Sequence, residues 1–67
     1  MTLVEKVKYL KQNHGITYAF IARQIGVIPN RLTRFALPKD NKNYRNLTQQ
    51  QLARLEEYLS GFTFPKE

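Results

Sequence analysis

A chain of 67 residues with a net charge of +6 and no cysteine has room for one domain and one small core. The missing cysteines exclude disulfides and thiolate metal sites, and no apolar run approaches the roughly 18 residues of a membrane span. The N-terminus also lacks a signal-peptide core, so the expectation is a soluble, cytoplasmic protein.

Four helices are predicted in chain order, over residues 1–61, with a short tail at 62–67. The first opens on Thr2 as N-cap with Glu5 three residues on, the spacing of a capping box. Leu3, Val7 and Leu10 then recur at i, i+4 and i+7, flanked by Val4, and Gly15 ends the helix after Asn13 and His14. Thr17 caps the second helix. The third begins around Pro29, a residue suited to a first helical position, and stops before Pro38, because the residue preceding a proline avoids the helical region. Between the third and fourth helices, residues 38–46 form a polar loop with Tyr44 as its one apolar body. The fourth helix starts at Thr48, with Gln51 completing a capping box and Leu47 and Leu52 spaced as a hydrophobic staple. Leu52, Leu55 and Leu59 are expected to face the core, and Gly61 to end the helix. No strand pattern competes, which makes the fold class all-α.

The second and third helices carry the functional reading. From Thr17 to Phe35, apolar residues fall at Ile21, Ala22, Ile25, Val27, Leu32 and Phe35, with Gly26 between the two helical runs. A glycine suits that position because a helix C-cap usually needs positive φ. Ala22, one turn earlier, is small enough for two helices to cross closely. The third helix turns Asn30, Arg31, Thr33 and Arg34 away from its apolar side. A tight corner with a polar, cationic outer helix is how a helix-turn-helix meets the DNA major groove.

Charge placement agrees with this. Residues 23–54 hold seven cations and one anion, Asp40, which is the whole net charge; the rest of the chain is balanced. A polyanion is the natural partner of so lopsided a field.

The matches at Thr17, Ile21, Ala22, Ile25, Gly26, Val27, Leu32, Thr33 and Arg34 make the chain resemble the lambda-repressor-like (Cro/repressor, XRE-type) DNA-binding domains. Their motif runs Thr-Gln-x-x-Leu-Ala-x-x-Leu-Gly-Val-Ser, followed by a helix with an apolar residue and a Ser/Thr-Arg pair. The resemblance implies a four-helix lambda-repressor-like domain and a double-stranded DNA operator as partner. It also implies a homodimer spanning two half-sites and a small transcriptional regulator of phage Cro type, associated with the nucleoid. Three departures stand out. Tyr18 replaces the family's Gln, Ile28 and Pro29 replace the Ser before the third helix, and 36–38 lacks the acidic residue that follows that helix. The reading of bases is therefore expected further along the helix, at Asn30, Thr33 and Arg34.

Each of these contacts has an alternative. Arg34 suits guanine O6 and N7, or else clamps a phosphate; Asn30 suits adenine N6/N7, or else serves as a local cap. Thr33 meets a thymine methyl or bonds its own backbone. Phosphate contacts are expected from Tyr18 through its hydroxyl, and from Arg23, Arg31, Lys39, Lys42 and Arg45, since cations beside such a helix position a protein without reading sequence. The loop cations have the plainer alternative of a solvated connector, the reading taken for Asp40 and Asn41.

An enzyme is not expected. The single histidine, His14, sits at a helix end, Glu56 and Glu57 point in different directions, and the three glycines stand apart rather than in a phosphate loop. No metal, cofactor or small-molecule substrate is implied. In the tail, Phe62 has the option of folding back on the last helical turn, whereas Phe64 has no local partner; both are assigned to a dimer interface. Tyr9 and Phe20, opposite the core stripes of their helices, are the reserve candidates. The competing class is a helix-turn-helix module, anti-repressor or antitoxin-like, that binds a protein instead of DNA.

Overall fold

The computed structural model describes residues 1–65; Lys66 and Glu67, the end of the expected tail, lie outside the described residues. It contains α1 (Leu3–His14), α2 (Tyr18–Ile25), α3 (Pro29–Phe35) and α4 (Gln49–Leu59), with no strand among the described residues. The domain is all-α, with four helices in a helix-turn-helix-like arrangement.

Local chemistry sets the helix ends. Thr2 and Thr48 each accept a hydrogen bond from the N3 backbone N–H, and the Glu5 and Gln51 side chains accept from the threonine N–H groups at 2.9 and 3.1 Å. Thr17 caps α2 by accepting from the Phe20 N–H at 3.1 Å. Gly15 and Gly26 both adopt the left-handed region, at φ 68° and 75°, and are the only described residues with positive φ. After Gly26, the Val27 N–H donates back to the Ala22 carbonyl at 2.9 Å, and Val27 turns into the core. That closes α2 and swings the chain into α3.

Gly61, expected to end the helix, lies one residue past the cap and outside the left-handed region. Ser60, in the right-handed region, caps α4, and the chain leaves through successive i→i−3 bonds, Gly61 N–H to the Tyr58 carbonyl and Phe62 N–H to that of Leu59. This tightened last turn sends the tail back across the molecule rather than away from it.

The core is Val7 and Leu10 from α1, Ile21, Ala22 and Ile25 from α2, Leu32 and Phe35 from α3, Leu47 before α4, and Leu55 and Leu59 within it, joined by Val27. Leu3, Val4 and Leu52 are half-buried at its edges. α2 packs chiefly on α3, and α4 lies against both α1 and α2. Ala22 is fully buried in the α2–α3 corner. A methyl there is all the corner accommodates without spreading.

Candidate nucleic-acid interface

The outer face of α3 follows from its pattern. Leu32 and Phe35 are buried, which turns Asn30, Arg31, Thr33 and Arg34 into solvent. The side chains of Asn30, Arg31 and Arg34 are exposed and make no hydrogen bond or ion pair with the described residues. The Thr33 hydroxyl donates to the Pro29 carbonyl at 3.2 Å, so its polar end is engaged on its own backbone and its methyl remains for an apolar contact.

The start of α3 breaks the rule that the other helices follow. Its N-cap is Ile28, with extended backbone (φ −68°, ψ 133°) and no side-chain cap bond. A hydroxyl or carboxamide cap contributes about 1 kcal/mol, and this chain places a threonine at each of its three other helix starts. Pro29 at N1 recovers part of the loss, having no N–H to satisfy. Ile28 is 66% exposed, the most open large apolar side chain of the domain.

The α3–α4 connection is a built loop. The Asn41 N–H donates to the Pro38 carbonyl and the Tyr44 N–H to the Asn41 carbonyl, both at 2.9 Å, and the Asn41 side chain accepts from the Asn43 N–H at 2.8 Å. Asn41 lies exposed in the connector, as expected, and also shapes two consecutive turns there; an Asx turn of this kind fixes the backbone locally. Tyr44, half-buried, lines an open groove of about 390 Å³ together with Leu3, Val4, Phe35 and Leu37. Lys39 and Lys42 are exposed on these turns, and Arg45 donates to the adjacent Tyr44 carbonyl at 3.2 Å.

On α2, Arg23 is exposed in the last turn, and Tyr18 occupies the first helical position. Burial raises the Tyr18 phenol above its ordinary pKa of 10.0, which keeps the hydroxyl a proton donor. The Lys11 ammonium lies 4.6 Å from the Tyr18 ring centroid, a cation–π distance. Lys11 thus brings an α1 cation to the start of α2, although its stretch of sequence is charge-balanced. Arg54 of α4 reaches the α2–α3 turn, its Nη1 3.4 Å from where a Cβ on Gly26 would stand. Neither residue was assigned a contact from the sequence. For Arg54 the only signal was membership of the basic window; for Lys11 there was none, since the pairing with Tyr18 crosses the α1–α2 turn.

The tail aromatics turn onto their own chain. The Phe64 ring meets Tyr9 edge-on, with centroids 5.7 Å apart, and the Lys6 ammonium lies 5.4 Å from the Phe64 centroid. Phe62 packs on Tyr58 at 5.3 Å and on Phe64 at 6.5 Å. Phe64, expected to have no local partner, meets Tyr9, Lys6 and Phe62 of its own chain, and it covers the reserve candidate Tyr9. Phe20 is half exposed and remains open. At the end of α1 the His14 ring meets Tyr9 at a tilt, with centroids 5.7 Å apart. Comparison with known proteins returns no matching family model, curated protein or solved structure.

Proposed function

We propose that the chain is a sequence-specific, double-stranded DNA-binding transcriptional regulator of the lambda-repressor-like, small Cro type, and not an enzyme. In this reading α3 lies in the major groove, with Asn30, Thr33 and Arg34 toward base edges and Arg23, Arg31, Lys39, Lys42, Arg45 and the Tyr18 hydroxyl toward phosphates. One observation carries it: the exposed face of α3 is an open set of amide, methyl and guanidinium groups, flanked by unpaired cations on a structured loop. Burying such cations against anything but an anion leaves charges uncompensated, whereas phosphates release counterions as they are met. The protein acts as a dimer in this reading, since one helix-turn-helix covers only a half-site and two are spaced roughly 34 Å apart.

The test is selection of bound duplexes from a random pool, followed by affinity measurements over a range of salt. A recovered palindrome, with log affinity falling steeply against log salt, is the expected result; failure to enrich any duplex overturns the proposal. Arg34→Ala should then cost about 1–3 kcal/mol per half-site and relax one base pair. Lys42→Ala should weaken all duplexes alike and lower the salt slope by about 1.

Phe20 is the observation that favours the second reading, a module binding a protein partner, because its aromatic ring stands half exposed on α2. Enrichment of no duplex, together with a stable complex abolished by Phe20→Ala, would favour that class.

A further inference from the structure

We infer that Ile28 is a specificity-determining residue that reads the C5-methyl group of a thymine at the edge of the half-site. The inference rests on the DNA-binding reading and extends it to a position where the family pattern has a hydroxyl. On sequence spacing alone, Ile28 falls at i with Leu32 and Phe35 at i+4 and i+7, the stripe of a buried face. The structure separates them. Leu32 and Phe35 are buried, while Ile28 keeps an extended backbone and stands 66% exposed, with Val27 taking the core position beside it.

An isolated exposed apolar residue is ordinary. This one is not, because it occupies the single helix start of four where the chain gives up a threonine cap. Local rules are broken where something other than stability is selected. Three features fit the side chain to a contact. It is branched at Cβ and therefore stiff at χ1, so little freedom is lost on docking. Pro29 follows it and fixes the next φ. Its Cα lies within about 7.6 Å of that of Asn30, two peptide units on. Base pairs are stacked about 3.4 Å apart, so the two side chains address pairs no more than about two steps apart. Among the base edges of the major groove, the thymine methyl is the one apolar group, which leaves a single partner for an isoleucine entering there.

The experiment uses the duplex recovered by selection, with each thymine replaced in turn by deoxyuridine, which lacks only that methyl. Wild-type protein should lose roughly three- to tenfold in affinity per half-site at one position within about two steps of the pair read by Asn30. Ile28→Ser should remove that step while raising Tm by roughly 4–8 °C, because serine restores the cap. Stability and recognition then move in opposite directions. A bound duplex with no deoxyuridine-sensitive position overturns the inference and leaves the DNA-binding reading standing. The same sensitivity in Ile28→Ser, or a lower Tm for that variant, also overturns it, the latter by showing that Ile28 is a packing residue. If no duplex is enriched, both readings fall together.

Discussion

Two sides of this small domain treat their exposed groups in opposite ways. Where α1 meets the C-terminal tail, side chains close on one another: Lys6 over Phe64, Phe64 against Tyr9, Phe62 against Tyr58. Where α3 meets its loop, Asn30, Arg31, Arg34, Lys39 and Lys42 stand in solvent with no partner among the described residues, and Ile28 stands with them. A chain of 67 residues has little core to spare. The tail supplies apolar surface that four short helices lack, and the open side keeps its groups free of the chain's own contacts. On the proposed reading, stability belongs to one side and recognition to the other, and that division can be broken or sharpened by substitution.

Ala22→Leu should have the largest effect, because it lies under the open side. Overpacking the α2–α3 corner is expected to cost about 1–3 kcal/mol, a large share of the stability of so small a domain. Thermal unfolding followed by circular dichroism measures it; an unchanged Tm would mean that the corner has slack and that the placement of α3 does not depend on a small residue. Gly26→Ala comes next, at about 1–2 kcal/mol. The cost lies in the backbone and not in space, since φ is 75° while the new Cβ would stand at an ordinary 3.4 Å from Arg54. Gly61→Ala is the control. With no positive φ and its nearest atom 3.6 Å away, it should stay within about 0.5 kcal/mol of wild type. Equal losses at the two glycines would contradict the backbone geometry of both turns.

On the closed side, Phe64→Ala should cost about 1 kcal/mol through the lost ring contact with Tyr9 and lost apolar burial. Its duplex affinity, measured well below Tm, should match wild type. A variant that is equally stable but sediments as a smaller species would place Phe64 in the dimer interface expected from the sequence.

The smallest effect concerns the two capping boxes. Thr2 backbone and side-chain hydrogen bonds hold the Glu5 carboxyl below its ordinary pKa of 4.5. A depressed folded-state value means that ionised Glu5 stabilises above pH 4.5, and that this contribution fades as pH falls through the lowered value. Glu5→Gln, which copies the box already present at Thr48 and Gln51, should therefore flatten the acid limb of the stability curve between those two values. At pH 7 it should leave a stability close to wild type. Identical acid limbs would show that Glu5 is not coupled to folding.

Much of this architecture was legible along the chain, because helix starts, turns and stripes are local. The Thr2, Thr17 and Thr48 caps, the Gly15 and Gly26 turns and the buried positions from Val7 to Leu59 stand where spacing put them. The exposure of Asn30, Arg31, Thr33 and Arg34 follows from the same 3.6-residue period that buries Leu32 and Phe35. Tertiary structure decided what periodicity has no means to express. Phe64 finds Tyr9 from 55 residues away, Arg54 reaches the Gly26 turn, and Lys11 reaches Tyr18 across the α1–α2 turn. Gly61 lies in a tightened turn instead of a left-handed cap because the tail must double back to those rings. Ile28 marks where the period stops. The apolar set read from the sequence takes Val27 and leaves Ile28 before the third helix, and a helix period holds only where the backbone is helical. At ψ 133° the residue precedes the first turn, so Val27 goes inward and Ile28 faces out.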